Sequence, residues 1–165
     1  MTALLGIDLG ERRIGVAVAD APDAGARPLV TLRRGRTVDA DLEALTPLID
    51  GHAVSELIVG LPIDAAGHEG PQAMATRAWV DTLANGLGGR VSIVLRDERL
   101  TSHVAESRLG PMSRGRSGGP PSKTQRDAYR ARVDREAAAI ILQDELDSRR
   151  ATGTAASRET METTP

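Results

Sequence analysis

Residues 6–20 read GIDLGERRIGVAVAD, and with the three residues before them they hold two short apolar segments, 3–9 and 14–20, separated by Gly10, Glu11, Arg12 and Arg13. That spacing predicts a β-hairpin with a four-residue turn. Side chains alternate along a strand, so Leu5, Ile7 and Leu9 face one way while Gly6, Asp8 and Gly10 face the other. An acid thus interrupts an otherwise apolar element. Burying a lone carboxylate is costly unless it is paired, hydrogen-bonded or bound to a cation. Asp8 is therefore either the organiser of the turn that follows it or an acid kept for chemistry.

Outward from the hairpin, 29–33 fits a third strand, and Val38, Leu42, Leu45 and Ile49 recur at helical spacing, with Pro47 expected to kink or end that helix early. A buried strand at 56–59 follows. Trp79, Val80, Leu83 and Leu87 then lie along one side of a helix for which Pro71 suits the first turn. A fifth strand is expected at 91–95, a short helix through Leu109, and a Gly/Pro/Ser-rich mobile loop at 110–122. In the last helix Val133, Ala137, Ile140 and Ile141 form one packed face. Residues 148–165 hold almost no large apolar side chain and are expected to be a disordered C-terminal tail to a single domain at 1–147. Hairpin strands followed by alternating helices and strands give an α/β class, with a mixed five-stranded sheet flanked by helices.

The composition narrows the function. At 165 residues there is room for one domain, and no apolar run is long enough to span a bilayer. The opening MTALLGIDLG has neither a basic leader nor a long apolar segment, and there is no cysteine, so the expected compartment is the cytoplasm, with no membrane partner. Trp79 and Tyr129 are the only aromatic residues, which excludes modules that stack unpaired bases on aromatic platforms. The net charge of −2 hides an asymmetry, because 108–132 holds seven basic residues and one acid. Arg126, Arg130 and Arg132 in that stretch are candidate contacts to a phosphate backbone, the alternative being a solvated basic loop.

Two further places carry acids with a reason to be there. Asp97 and Glu98 follow the strand VSIVLR at its C-terminal end, where parallel sheets place ligands, or they simply pair with Arg96 or Arg99. Thr101 and Ser102 suit the cap of the short helix. Asp134 borders the buried stripe of the last helix, with Ala138 and Ile141 on its own face, or pairs with Arg130 one turn back. If these acids converge with Asp8 at one edge of the sheet, they suit one or two Mg²⁺ or Mn²⁺ ions, which prefer oxygen ligands. Two such ions about 4 Å apart would activate water and stabilise the leaving oxygen of a phosphodiester. The pattern G-x-S-x-G at 115–119 lies in the expected loop and lacks the strand–turn–helix context of a nucleophile elbow. His52, His68 and His103 lack zinc-ligand spacing.

Four ordered blocks, GIDLGERRIGVAVAD at 6–20, IVGLPIDAAGHEGPQA at 58–73, DERLTS at 97–102 and RVDREAAAIILQDEL at 132–146, resemble the YqgF/RuvX family. These are pre-16S rRNA nucleases, also described as Holliday-junction-resolvase-like, with a ribonuclease H-like fold. The resemblance covers 4–147. It implies a metal-dependent nuclease maturing the 5′ end of the small-subunit ribosomal RNA, with Asp8, Glu98 and Asp134 as catalytic and metal-binding acids and Mg²⁺ or Mn²⁺ as cofactor. Arg99 and Thr101 match the same family block and are implied to position Glu98 or contact substrate. The stretch 111–122 departs from the family, being Gly/Pro/Ser-rich where relatives carry a compact basic segment. The implied partners are precursor ribosomal RNA, branched DNA in the alternative, and ribosomal particles, with the protein a monomer or homodimer. The competing readings are a resolvase of four-way DNA junctions and a non-catalytic nucleic-acid-binding module. A nucleotide-binding protein of the actin or sugar-kinase type would need two such domains, more than 165 residues hold.

Overall fold

The computed structural model describes residues 2–99, 101–115 and 117–162, with side chains described through residue 153. Strands β1 (Ala3–Leu9), β2 (Arg13–Ala19) and β3 (Arg27–Arg33) are followed by α1 (Val38–Gly51), β4 (Val54–Pro62), α2 (Pro71–Leu87), β5 (Ser92–Glu98), α3 (Thr101–Leu109) and α4 (Lys123–Glu162). The five strands form one sheet in the order β3-β2-β1-β4-β5. β1–β2 and β2–β3 are antiparallel, while β1–β4 and β4–β5 are parallel. The C-terminal ends of β1, β4 and β5 therefore lie at one edge, together with the turn between β1 and β2.

Alternation divides the sheet into two cores. Leu5, Ile7, Val16, Leu57 and Val59 face α1 and α2, packing with Leu45, Ile49, Trp79 and Leu83. Leu4, Ala17 and Ile58 face α4, against Ala138, Ile141, Leu142 and Leu146. Burying a Leu or Ile side chain stabilises by about 1.5–3 kcal/mol, so these two stripes fix the register of β1 and hence the face to which Asp8 belongs, that of α4. Ala105 of α3 joins Val133, Ala137 and Ile140 in a smaller cluster that fastens α3 to α4.

α4 can lie this close to the sheet because glycines are beneath it. A Cβ at Gly15 would run into the backbone carbonyl of Asp134, and one at Gly6 would stand 2.5 Å from the carbonyl oxygen of Ala138. The glycines of the opening block thus seat Asp134 directly over β2.

Several boundaries differ from the sequence reading. Pro47 does not end α1, which runs to Gly51; the proline is on the exposed side of the helix, away from the packed face of Leu45 and Ile49. β4 and β5 are longer than expected, and Glu98 is the last residue of β5, paired with Pro62, rather than a residue of the following loop. α4 continues past residue 148 to Glu162, across the expected start of a disordered tail. Arg149 makes bonds of 2.8 Å to both carboxylate oxygens of Glu56 and another to Glu145, and Arg150 bonds the carbonyl of Asp23, so polar contacts replace the apolar ones whose absence suggested a tail. Residues 163–165 lie outside the described residues. No helix among the described residues is long and apolar enough to cross a membrane.

Candidate active site

Asp8 sits one residue before the end of β1 on the α4 face, half-buried at the sheet edge. Two strands away, Glu98 ends β5 on the same face and folds its carboxylate over Gly60 of β4, where a Cβ would collide with its Oε2 and stand 2.7 Å from Ile141 Cδ1. Gly60 is the gap that lets the Glu98 side chain reach Asp8. The two carboxyls stand close enough to act on each other's protonation. Burial, then the charge of Asp134, pushes Asp8 up to about 7, against the smaller opposing effect of its bond to Glu98. Burial, then the charge of Asp8, then the hydrogen bond that Glu98 donates, pushes Glu98 up to about 9. Desolvation and like charge both disfavour the ionised pair, so near neutral pH the two share a proton unless a cation takes its place.

Asp134 comes in from α4. It is the third acid near this point, yet it is not bonded to the other two: Arg13 Nε, at the start of β2, donates to its Oδ2 at 2.5 Å, with both side chains largely covered. The alternative pairing with Arg130 does not form. Among the described residues no three acidic or histidine side chains close into one ligand cluster. The donor set nevertheless fits a hard divalent cation. Asp8 and Glu98 offer carboxylate oxygens only, and Mg²⁺ commonly takes one or two carboxylates while keeping water and phosphate oxygens for the rest.

The Asp8 turn is organised by other groups. Gly10 N–H donates to the Arg13 carbonyl at 2.9 Å, Arg34 N–H to the Arg12 carbonyl at 2.9 Å, and Arg34 Nη1 to the Gly10 carbonyl at 2.9 Å. Arg34 is itself aimed by Asp41, which is fully buried and accepts from Arg34 Nε, Gly35 N–H and Trp79 Nε1 at 2.7–3.0 Å. With its turn closed by backbone and arginine, Asp8 is left facing Glu98.

Of the remaining candidates, Arg99 donates to Asp97 at 2.9 Å, and its guanidinium lies 3.4 Å from where a Cβ at Gly67 would be, bridging the Glu98 strand end to the loop before α2. Thr101 is buried at the first position of α3. Arg126 and Arg130 lie along an open groove of about 970 Å³ between the start of α4 and the β2–β3 end of the sheet; none of the three acids lines it, and Arg13, which does, joins it to Asp134. Arg126 also donates to the Pro121 carbonyl at 2.7 Å. Arg132 does not join them; it points to a separate hollow beside Tyr129 and the 111–113 segment.

Seven basic side chains line the groove against the acids Glu11 and Asp127. Four of the seven, Arg12, Arg13, Arg33 and Arg34, come from the hairpin end, outside the basic stretch that composition singled out. The register sets Arg13 directly opposite Arg33 across the ladder, and like charges so placed destabilise a hairpin unless anions face them, as Asp134 faces Arg13.

The model of the RuvX family, described as a Holliday junction resolvase, matches residues 2–148. This chain belongs to the RuvX family. Among RuvX relatives, one from Chloroflexus aurantiacus (strain ATCC 29366 / DSM 635 / J-10-fl) is 40% identical over 147 residues, 89% of this chain and 88% of its own, and is named a pre-16S rRNA nuclease. Another with that name, from Anaeromyxobacter sp. (strain Fw109-5), is 43% identical over 147 residues, 89% of this chain and 98% of its own. The solved structure of Thermus thermophilus RuvC superposes with a TM-score of 0.50 at 15% identity, over 92% of this chain and 98% of that one. The RuvX sheet and helices described above thus have the ribonuclease H-like fold.

Proposed function

We propose that this protein is a divalent-cation-dependent nuclease that hydrolyses phosphodiester bonds, and that its substrate is the 5′ end of precursor 16S ribosomal RNA. The observation that carries the reading is the meeting of Asp8 and Glu98 at the C-terminal ends of β1 and β5, with Asp134 near them and tied through Arg13 to a basic groove. Asp8, Glu98 and Asp134 would hold Mg²⁺ or Mn²⁺. Bound there, the cation would supply activation of the attacking water and neutralisation of charge on the leaving oxygen.

The chain's own groups do the rest. Asp8 and Glu98, freed of their shared proton, present anionic oxygens to the reacting centre and can orient a water by hydrogen bonds. Arg126 and Arg130 hold the flanking phosphates and so fix the scissile bond over the acids, a positioning effect that accounts for much of the rate in phosphoryl chemistry. Arg99 and Thr101 keep the end of β5 in place, and Arg132 contacts the strand as it leaves the site. Residues 1–147 carry this activity, the protein works as a monomer or homodimer on ribosomal precursor particles, and its compartment is the cytoplasm.

The RuvX description as a Holliday junction resolvase favours a second substrate, branched DNA, for which the same acids would serve and a homodimer would be needed to cut two strands symmetrically. Cleavage of a precursor rRNA fragment and of a four-way DNA junction, side by side in Mn²⁺ and in EDTA, separates the two. Metal-dependent cutting of the RNA supports ribosomal processing; preferential cutting of the junction replaces it with the resolvase.

A further inference from the structure

Arg13 belongs to two places at once. Its guanidinium neutralises one oxygen of Asp134, and the same side chain lines the basic groove with Arg12, Arg33 and Arg130. Those three are exposed and form no ion pair among the described residues, so they offer charge to whatever enters the groove. Arg13 stands opposite Arg33 in the sheet and is the member of the set whose charge is spent on an acid of the site. As long as it is, Asp134 is a poor ligand, because a guanidinium already occupies one of its oxygens and cancels its charge.

We propose that Arg13 exchanges partners, leaving Asp134 for a phosphate of the nucleic-acid strand bound in the groove, so that strand and divalent cation bind cooperatively. The inference rests on the nuclease reading above. Its physical basis is competition between two anions for one fork of donors. A strand phosphate supplies an oxygen pair equal in charge to the Asp134 carboxylate and equally suited to bidentate arginine, while Arg33 and Arg130 help to hold it. Once Arg13 has moved, Asp134 is free beside Asp8 and Glu98, and the site gains a third carboxylate only when there is a backbone to cut. Linkage requires reciprocity: the factor by which strand tightens cation binding is the factor by which cation tightens strand binding.

The test uses the full chain, Arg13→Gln and Arg13→Ala, each checked for an unchanged far-ultraviolet spectrum and a cooperative melt. Mn²⁺ binding is read by electron paramagnetic resonance without nucleic acid. Binding of a fluorescent precursor rRNA fragment is read by anisotropy with and without Mn²⁺ at constant ionic strength in the cold, with the fragment recovered intact on a gel. Both variants are expected to bind Mn²⁺ about fivefold or more tighter than wild type in the absence of RNA. Mn²⁺ is expected to tighten RNA binding by wild type by a similar factor and to leave the variants unchanged. Equal Mn²⁺ affinity in wild type and both variants, or an equal response of RNA binding to Mn²⁺, overturns the exchange while leaving the cation site intact. Failure of wild type to bind Mn²⁺ with or without RNA overturns the nuclease reading along with it.

Discussion

Replacing Glu98 by Gln should stabilise the cation-free protein, and increasingly so as the pH rises. Asp8 and Glu98 have their carboxyls raised to about 7 and about 9. A carboxyl that holds its proton more tightly in the folded than in the unfolded chain makes the folded state the better proton binder. Its contribution is harmless below the unfolded value near 4 and subtracts from stability as pH rises toward the folded value. At pH 5 both groups are protonated and the substitution should change little. Above pH 9 both are charged, and two unit charges about 4 Å apart repel by about 4 kcal/mol at an effective dielectric of 20. The Glu98→Gln substitution removes one charge and offers an amide N–H to Asp8, so a gain of about 2–4 kcal/mol is expected at that end. For a domain of this size it corresponds to a melting temperature raised by roughly 5–10 °C. Thermal unfolding followed by circular dichroism in EDTA from pH 5 to pH 9.5 reads the difference between the two proteins, which cancels the titration of other groups. Added Mn²⁺ should stabilise wild type and narrow the gap. A difference that is constant with pH, or that favours wild type at high pH, would refute the reasoning about the pair.

Asp41→Ala should be the most damaging substitution away from the acids. It strips the buried acceptor from Arg34, Gly35 and Trp79 together, a loss of about 3–5 kcal/mol in urea unfolding; a loss under about 1 kcal/mol would mean the knot under the turn is not structural. Arg126→Ala and Arg130→Ala should each weaken RNA binding and reduce the slope of log affinity against log salt by about 1, read by anisotropy from about 50 to about 300 mM KCl. An unchanged slope in both would move the phosphate track out of the groove.

The face of the sheet to which Asp8 belongs was legible in the alternation of Leu5, Ile7 and Leu9, because burial of one face forces the register. Glu98 and Asp134 were legible as acids at a strand end and beside a buried stripe, and the glycines that bring them near Asp8 lie within the blocks that resemble the RuvX family. The partner of Asp134 was not. Sequence offered Arg130 at one helical turn, whereas the contact made is with Arg13, 121 residues away and set by how α4 crosses the sheet. The same limit hid the contribution of the hairpin to the basic groove: a charge count along the chain sees 108–132, but the groove is assembled from both ends of the fold. The continuation of α4 past residue 148 was not legible for a different reason. Absence of apolar residues signals disorder only where nothing polar holds the chain, and Arg149 is held by Glu56 and Glu145.

The most direct test of the central claim, that the carboxylates at the ends of β1 and β5 perform metal-dependent hydrolysis, is single-turnover cleavage of a precursor 16S rRNA fragment by wild type and Asp8→Asn purified identically. Loss of a charge worth several kcal/mol at the reacting centre predicts cleavage in Mn²⁺ that falls at least about 100-fold in the variant and vanishes for both in EDTA, while RNA affinity in EDTA is unchanged. Cleavage by Asp8→Asn at the wild-type rate would contradict the account.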